Sequence, residues 1–319
     1  METSITNIEP VENLLKIGNY LKMWRVNFNG LRLYIQEEPF AYYSGLTGAL
    51  DASQFKGDPN VKQLESWRDG MIDSFGEKAL RDYVDFTATF GTLVHESLVT
   101  IKEKGGIDWG EEKDKSYERF LAAYQEKQLI PNLKVIKKMT YDHCKHAASL
   151  LQFVHDRVQE IYAIETAAKW ESLKICTPID MFCLCRATEK GEFKKETINI
   201  KTSSQISDHH LKQASCEFMM WNETYGEAEN TAILRTKNYT EGKIATYEHK
   251  YLNKQEAELI AKKAYRKLEV CFDDEATYYP FPINKSFDGF TKIGEQPIIV
   301  QRTLAEEWAL AKENQLITE

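Results

Sequence analysis

No stretch of this sequence stays apolar over the roughly 20 residues that a membrane-spanning helix needs, and its first residues lack a basic region followed by an apolar segment. It contains no C-x-x-C pair, so the six scattered cysteines are expected to be reduced core residues rather than disulfides or a zinc site. Internal repeats and low-complexity segments are also missing. These absences argue against a secreted, membrane or repeat protein and predict a soluble, cytoplasmic one.

Basic residues are in the minority, with 41 Lys and Arg against 49 Asp and Glu, a net charge of −8 and a pI near 5.6. This balance argues against a protein that coats nucleic acid electrostatically. An enzyme acting on nucleic acid, however, needs only a local basic groove around an acidic, metal-loaded centre. The 319 residues are 42% hydrophobic and 12% aromatic, which is enough for a full core in one large domain or a domain with additions.

Two apolar segments combine β-strand character with isolated charges. The segment 175–182 is an apolar run interrupted by the single carboxylate of Asp180, which is costly to bury unless it is paired or binds a metal. The segment 196–204 is rich in β-branched residues, carries Lys201 and ends in hydroxyl residues. An acid and a lysine on neighbouring strands indicate a candidate site for metal-assisted phosphodiester chemistry.

Hydrophobic periodicity and turn residues predict an α/β protein with a central mixed sheet flanked by helices. We expect a helical N-terminal region over 1–80, a core over 81–272 with a helical insertion at about 103–160, and a C-terminal extension over 273–319. The individual predictions are helices at 11–23, 61–75, 78–102, 117–126, 140–159, 207–225, 254–268 and 304–313, strands at 31–35, 161–169, 174–186, 197–202, 231–237 and 243–250, an aromatic, turn-rich segment at 40–47 and a loop at 105–110. Ser207 is expected to cap the helix at 207–225.

Polar residues recur at defined places in these elements. In chain order they are His95 in the helix segment GTLVH (91–95), Glu165, Asp180, the segment NIK (199–201) with Lys201, and Gln213. Their order resembles the PD-(D/E)XK nuclease superfamily, and within it the RecB-like exonucleases whose helix carries G-x-x-x-H. The earlier segments YSGLT (43–47) and LESWR (64–68) are similar to the run before the histidine in mitochondrial genome maintenance exonucleases and related phage exonucleases. The resemblance covers 43–268, with 103–160 matching poorly.

The resemblance implies a restriction-endonuclease-like core and a metal-dependent active site. It assigns metal binding to His95, Asp180, Asn199 and the carbonyl of Ile200, with Mg²⁺ or Mn²⁺ as the cofactor, since hard cations prefer oxygen ligands. Glu165 is expected to assist, and Lys201 to orient or deprotonate the attacking water.

The same resemblance implies a DNA exonuclease of replication, recombination or repair, acting on a single strand or a duplex end. A phage or bacterial source follows, with the host cytoplasm as the compartment if the protein is phage-encoded. The residues expected to contact DNA are Gln213, Thr202, Ser203, Thr47, Trp67 and Arg68.

Asn199 stands where the family has an acid, and this departure leaves three interpretations open. Asn199 is an engineered acid-to-amide change, or it is natural and Glu196 or Glu165 supplies the missing carboxylate, or the protein is a catalytically silent nuclease fold that binds DNA or a partner protein. Glu217 also departs from the family, because tyrosine is usual there.

Overall fold

Ten strands and eight helices make up the part of the chain that the computed structural model describes, residues 5–10, 14–15, 21–28, 31–52, 59–237, 244–273, 304–314 and 316–317. The strands are β1 (Ile5–Pro10), β2 (Leu14–Leu15), β3 (Trp24–Phe28), β4 (Leu31–Gln36), β5 (Ala41–Gly45), β6 (Val158–Trp170), β7 (Ile175–Arg186), β8 (Phe193–Lys201), β9 (Asn230–Thr236) and β10 (Tyr247–Asn253). The helices are α1 (Leu46–Ala52), α2 (Pro59–Phe75), α3 (Glu77–Lys104), α4 (Trp109–Glu126), α5 (Leu133–Arg157), α6 (Asp208–Thr224), α7 (Lys254–Asp273) and α8 (Leu304–Glu313). Among these helices, none is long and apolar enough to cross a membrane.

The described strands join in one mixed sheet with helices on both faces. Its main order is β1-β3-β4-β5-β7-β8-β9-β10, while β6 pairs with β7 and with the short β2. Pairing is parallel between β5 and β7 and between β8 and β9, whereas the other pairs are antiparallel. The predicted α/β class with a mixed sheet flanked by helices is therefore confirmed.

Strand β7 has two different neighbours along one of its edges. Ile175 and Cys176 at its start pair with β5, and its second half, from Met181 onward, pairs with β8. Because β6 pairs with β7 along the opposite edge, residues 177–180 face an opening between β5 and β8. Strand β8 continues past this point by pairing with β9 up to Lys201. The opening lies beside Asp180.

One face of the sheet is covered by α1, α6 and α7. Phe182 of β7 lies 4.4 Å from Trp221 of α6, measured between ring centroids, inside a cluster that also includes Leu46 of α1 and Ala261 of α7. Helix α6 begins at a capping box, in which the Ser207 hydroxyl accepts the backbone N–H of His210, as the sequence predicts. This cap fixes where α6 starts relative to the end of β8.

The opposite face is covered by α3 and α5, with α4 packed outside them. Leu98 of α3 and Phe153 of α5 are buried against Met181 and Ile198 of the two central strands. Helix α3 ends at Gly105, whose φ of +70° is the left-handed conformation that closes a helix without strain in glycine. The long helix is thereby held across the sheet, with the GTLVH segment near its middle.

The N-terminal region differs from the helical region expected there. Strands β1, β3, β4 and β5 extend the sheet, and among the residues described before Gly76 only α1 and α2 are helices. The helix expected at 11–23 is wrong where the chain is described, because Leu14–Leu15 form β2 and 21–23 are not helical; its other residues lie outside the described ones. The segment expected to be turn-rich at 40–47 is strand β5 followed by the start of α1. Pairing with β7 overrides the local turn preference of these residues.

The last helix, α8, packs on the N-terminal strands. Trp308 is buried, with its ring centroid 5.9 Å from that of Trp24, and its Nε1–H donates to Glu37 Oε1 at 3.2 Å. The bounds of α8 match the helix predicted at 304–313. The remainder of the expected extension, 274–303, lies outside the described residues.

Candidate metal centre at the opening of the sheet

Asp180 lies where β7 and β8 stop pairing. Its Oδ2 accepts a hydrogen bond at 2.6 Å from the backbone N–H of Ile200, which satisfies a donor that the β7 ladder does not reach. The N–H and C=O of a strand residue point toward the same neighbour, so the Ile200 carbonyl also lies on the Asp180 side of β8. The split in the sheet therefore brings a buried carboxylate and a strand carbonyl together.

His95 reaches this opening from α3. Its Nδ1 lies 2.8 Å from Oε1 of Glu165, on β6, and 3.6 Å from Oδ1 of Asp180. One ligand atom from each of the three residues lies within 4.8 Å of the other two. The side chains are 27% exposed for His95, 33% for Glu165 and 11% for Asp180, so the group is open to solvent on one side. These three residues can hold a metal ion.

The backbone at Glu165 is in an unusual conformation for a strand. Its φ is +48°, in the left-handed region that a residue other than glycine adopts at a cost of about 1–2 kcal/mol. The side chain of this residue, the Glu165 carboxylate, is in contact with His95. Strain of this kind clusters at functional sites, which makes Glu165 a stronger candidate than its sequence alone suggests.

The charges of the group act strongly on one another. Burial alone would lower the pKa of His95, but the carboxylates of Asp180 and Glu165 outweigh it and raise that pKa to about 9. Burial raises the pKa of Asp180, and the charge of Glu165 adds to the rise while His95 and Lys201 oppose it. With no cation bound, His95 is therefore protonated at neutral pH and neutralises its acidic neighbours. A cation would replace that proton.

Asn199 is buried on β8 on the face toward α6. Its Nδ2 donates to Oε2 of Glu217 at 2.8 Å, while its buried Oδ1 has no hydrogen-bond partner in the part of the chain that the structure describes. Gln213, one turn before Glu217 on α6, donates its Nε2–H to Oε1 of the same carboxylate, also at 2.8 Å. The amide at 199 thus touches an acid and leaves one oxygen available.

Glu217 is the residue of the site that sequence reasoning missed. It is 2% exposed, and burial together with the nearby charge of Asp180 raises its pKa to about 8. Its position four residues after Gln213 places both on one face of α6, which is a signal the sequence contains. A carboxylate from α6 therefore lies next to Asn199, where the family pattern would have an acid on the strand.

Lys201 closes the group at the end of β8. Its ammonium lowers the pKa values of His95, Asp180 and Glu217, so it lies within electrostatic range of all three. Its carbonyl accepts the Thr236 hydroxyl at 3.4 Å, which ties the end of β8 to β9. The structure therefore gathers an imidazole, several carboxylates and an ammonium at one opening.

The residues expected to contact DNA lie in two regions of the structure, one beside the candidate site and the other on α1 and α2. Thr202 and Ser203 directly follow Lys201, and the Ser203 hydroxyl donates to the Gln205 carbonyl at 2.8 Å. Thr47, Trp67 and Arg68 lie on α1 and α2, outside the hydrogen-bonded group around Asp180, and all three are exposed. Gln213 lies beside the candidate site, where its side-chain amide donates a hydrogen bond to Glu217.

Glu196 does not supply the carboxylate missing at Asn199, contrary to one of the interpretations open from the sequence. Residues three apart on a strand face opposite sides, and Glu196 lies on the α5 side with Cys185 and His249. Ligand atoms of these three residues also lie within 4.8 Å of one another. These three residues form a second group that can hold a metal ion, separate from the site predicted around Asp180.

No protein-family model matches this chain, and no curated protein is significantly similar to it.

Proposed function

We propose that this protein is a divalent-metal-dependent DNA nuclease whose active site is the group of side chains at the opening between β5 and β8, beside Asp180. The observation that carries the proposal is that His95 of α3 lies 3.6 Å from Asp180 of β7, with Lys201 of β8 close enough for its charge to act on both. An imidazole, a carboxylate and an ammonium around one solvent-facing opening suit phosphodiester hydrolysis.

The donor set suits a hard divalent cation. Asp180 and Glu165 offer carboxylate oxygens, His95 offers an imidazole nitrogen, and the buried Oδ1 of Asn199 has no other partner. Such oxygen-rich ligands, at a site partly open to solvent, favour Mg²⁺ or Mn²⁺, which keep several waters. We propose Glu217 as the source of the negative charge that Asn199 lacks, because its carboxyl group touches the Asn199 amide and a bound cation would lower its raised pKa.

The chain's own residues would divide the chemistry between them. A bound divalent cation would supply Lewis-acid polarisation of a phosphate oxygen. Lys201, as an ammonium, would orient the attacking water and stabilise the charge that develops on the phosphate. His95 and Glu165 hold each other in place through their 2.8 Å contact, so both present fixed ligand atoms to the opening.

DNA as the substrate rests on the resemblance to the RecB-like branch of the PD-(D/E)XK superfamily, and so does the restriction-endonuclease-like description of the core. Arrangement in the fold supports it: the acid, the asparagine and the lysine lie on two adjacent central strands, and the helix with His95 packs beside them. Thr202 and Ser203 follow Lys201 and offer hydroxyls to a phosphate backbone. An exonuclease of replication, recombination or repair is the activity we propose.

Degradation of end-labelled single- and double-stranded DNA with Mg²⁺ or Mn²⁺ tests this function. We expect activity in the unaltered chain and a loss of more than about 100-fold in Asp180→Asn, because the central carboxylate is removed. Glu189→Gln, at the turn between β7 and β8, removes an equal charge from the far end of the same hairpin and should change nothing. Activity that survives Asp180→Asn contradicts the proposed site.

The buried amide at 199 favours a second candidate, a nuclease fold that binds DNA or a partner protein without cleaving it. Asn199→Asp distinguishes the two. Activity only in the substituted chain identifies a fold disabled at this position. Absence of both cleavage and Mn²⁺ binding in both chains supports the binding module.

A further inference from the structure

A second cluster of potential metal ligands lies on the other face of the same hairpin. Cys185 is on β7, Glu196 on β8 and His249 on β10, and their ligand atoms lie within 4.8 Å of one another. The His249 ring lies 5.1 Å from that of Phe153, centroid to centroid, so α5 covers the cluster. This group shares no residue with the candidate active site.

The cluster is closed to solvent. Cys185 is 0% exposed, and the side chains of Glu196 and His249 are 1% and 5% exposed. A carboxylate and an imidazole at this depth are expensive to bury unless they are hydrogen-bonded, charged as a close pair, or bound to an ion.

The Cys185 thiol lies near Glu196 and the backbone of Ala187 near His249, but neither makes a hydrogen bond of normal geometry to them. Both carboxylate oxygens of Glu196 and both ring nitrogens of His249 are buried without a hydrogen-bond partner among the described residues. The nearest approach of the two side chains, His249 Nε2 to Glu196 Oε2, is 3.8 Å, longer than a hydrogen bond. One ring nitrogen of His249 thus faces an oxygen of Glu196 without a hydrogen bond, and the Cys185 sulfur lies within 4.8 Å, which indicates a missing common partner.

The spacing of these atoms suits a small cation. Zinc lies about 2.3 Å from a thiolate sulfur and about 2.0–2.2 Å from an imidazole nitrogen or a carboxylate oxygen, so tetrahedral ligands are about 3.3–3.8 Å apart. The distance between His249 and Glu196 is already 3.8 Å. Only a small contraction of the cluster is needed for all three to reach one ion.

The chemistry of the ligands selects the kind of ion. A thiolate and an imidazole are soft or borderline donors that favour zinc-like transition metals over Mg²⁺ or Ca²⁺.

We propose that Cys185, Glu196 and His249 form a structural site for a zinc-like divalent transition metal, which joins β10 to the central strands β7 and β8. Binding releases the thiol proton of Cys185 to solvent and satisfies the buried carboxylate and imidazole. The site is independent of the proposed nuclease function, since it is sealed from solvent and lies on the opposite face of the hairpin.

Cobalt substitution tests this site directly. The chelator-treated chain is titrated with Co²⁺, both when folded and during refolding from denaturant, and its absorption spectrum is recorded. We expect a thiolate-to-cobalt charge-transfer band at one Co²⁺ per chain, together with the visible bands of tetrahedral coordination. The group of His95, Glu165 and Asp180 contains no sulfur, so cobalt there cannot produce the charge-transfer band.

Matched cysteine variants locate the band. Cys185→Ser should abolish it, whereas Cys176→Ser, at another fully buried position of β7, should retain it. His249→Gln should lower the apparent Co²⁺ affinity by more than about 100-fold, since even changes outside the ligand set cost 10–100-fold. His249→Gln also tests the site if Cys185→Ser does not fold.

Metal content of the chain purified without chelator is measured in parallel by mass spectrometry, and zinc should be present and should raise the melting temperature. The proposal is overturned if the wild-type chain shows no charge-transfer band, whether Co²⁺ is added to the folded chain or during refolding. A band of equal strength in Cys185→Ser also overturns it.

Discussion

Both metal-competent clusters are built on the β7–β8 hairpin, yet they differ in what surrounds them. His95, with its side chain 27% exposed, and Asp180 lie at the end where the two strands separate. Cys185 and Glu196 lie where the strands are paired and are covered by α5. An ion at the open cluster can exchange with solvent and meet a substrate, whereas an ion at the closed cluster can only hold strands together.

The polar atoms of the two clusters also differ in their hydrogen-bond partners. At the opening, Asp180 receives a backbone N–H and His95 contacts Glu165, so the group is stable without an ion. In the closed cluster, the polar atoms of Glu196 and His249 lack hydrogen-bond partners among the described residues. A protein can therefore fold around an empty open cluster, while an empty closed cluster costs stability.

The largest effect that separates chemistry from binding is expected from Lys201→Met. Loss of the ammonium should reduce DNA cleavage by about 10²–10⁴-fold, because it acts on the water and the developing charge. Mn²⁺ affinity, measured by calorimetry, should change only a few-fold, since Lys201 is not a ligand. Lys195→Met, at the other end of β8, is the matched control, and a parallel loss in both variants would falsify the assignment to Lys201.

The closed cluster should behave as part of the core. Phe153 is 0% exposed and packs against the His249 ring, so Phe153→Ala should lower the free energy of unfolding by about 3–5 kcal/mol. Phe75→Ala, at a ring 69% exposed, should change it by less than about 0.5 kcal/mol. Denaturant unfolding measures both, and equal effects would contradict the packing of α5 on the sheet.

Acid should destabilise the helical layer that covers the closed cluster. Burial lowers the pKa of His146, on α5, to about 4 from 6.5, and its Nδ1 lies 2.7 Å from the Thr236 hydroxyl oxygen. The unfolded chain takes up this proton below pH 6.5 and the folded chain only below about pH 4, so stability falls as the pH drops between these values. The loss attributable to His146 is about 3 kcal/mol.

His146→Gln should flatten the dependence of unfolding free energy on pH between 6.5 and 4. His155→Gln, at a side chain that is 83% exposed, is the control. An unchanged slope in His146→Gln would mean that another group carries the acid sensitivity.

The smallest effect is expected at Glu217. Glu217→Gln removes a carboxylate that contacts Asn199 but is not among the three closest ligand residues, so Mn²⁺ affinity should fall about tenfold, or about 1.4 kcal/mol. Asn199→Asp should compensate in the double variant by restoring the charge. If Asn199→Asp instead weakens binding in both backgrounds, a carboxylate at 199 does not substitute for the one at 217.

Much of the candidate site follows from local sequence pattern. Asp180 is conspicuous as an acid inside an apolar strand, and Lys201 as a lysine at a strand end. The long helix predicted at 78–102 and the cap at Ser207 are confirmed by α3 and α6, which place His95 and Gln213. These features are readable because each depends on residues close together in the chain.

Glu217 and the cluster of Cys185, Glu196 and His249 cannot be predicted from local sequence pattern in this way. Glu217 matters because α6 crosses the end of β8, and Cys185 and His249 meet although 64 positions separate them in the numbering. The sequence lacks C-x-x-C spacing, so it predicts no zinc site, yet strand pairing brings three ligand types together from three strands.

The sequence by itself determined the α/β class, the mixed sheet and the acid and lysine on adjacent central strands, because side-chain periodicity and buried charge are local properties. Tertiary structure alone decided that β5 and β8 share one edge of β7 and leave an opening at Asp180, that an acid from α6 contacts Asn199, and that Glu196 faces the opposite side. The physical reason is that strand register and helix placement are fixed by pairing and packing between distant residues, which no short stretch of sequence encodes.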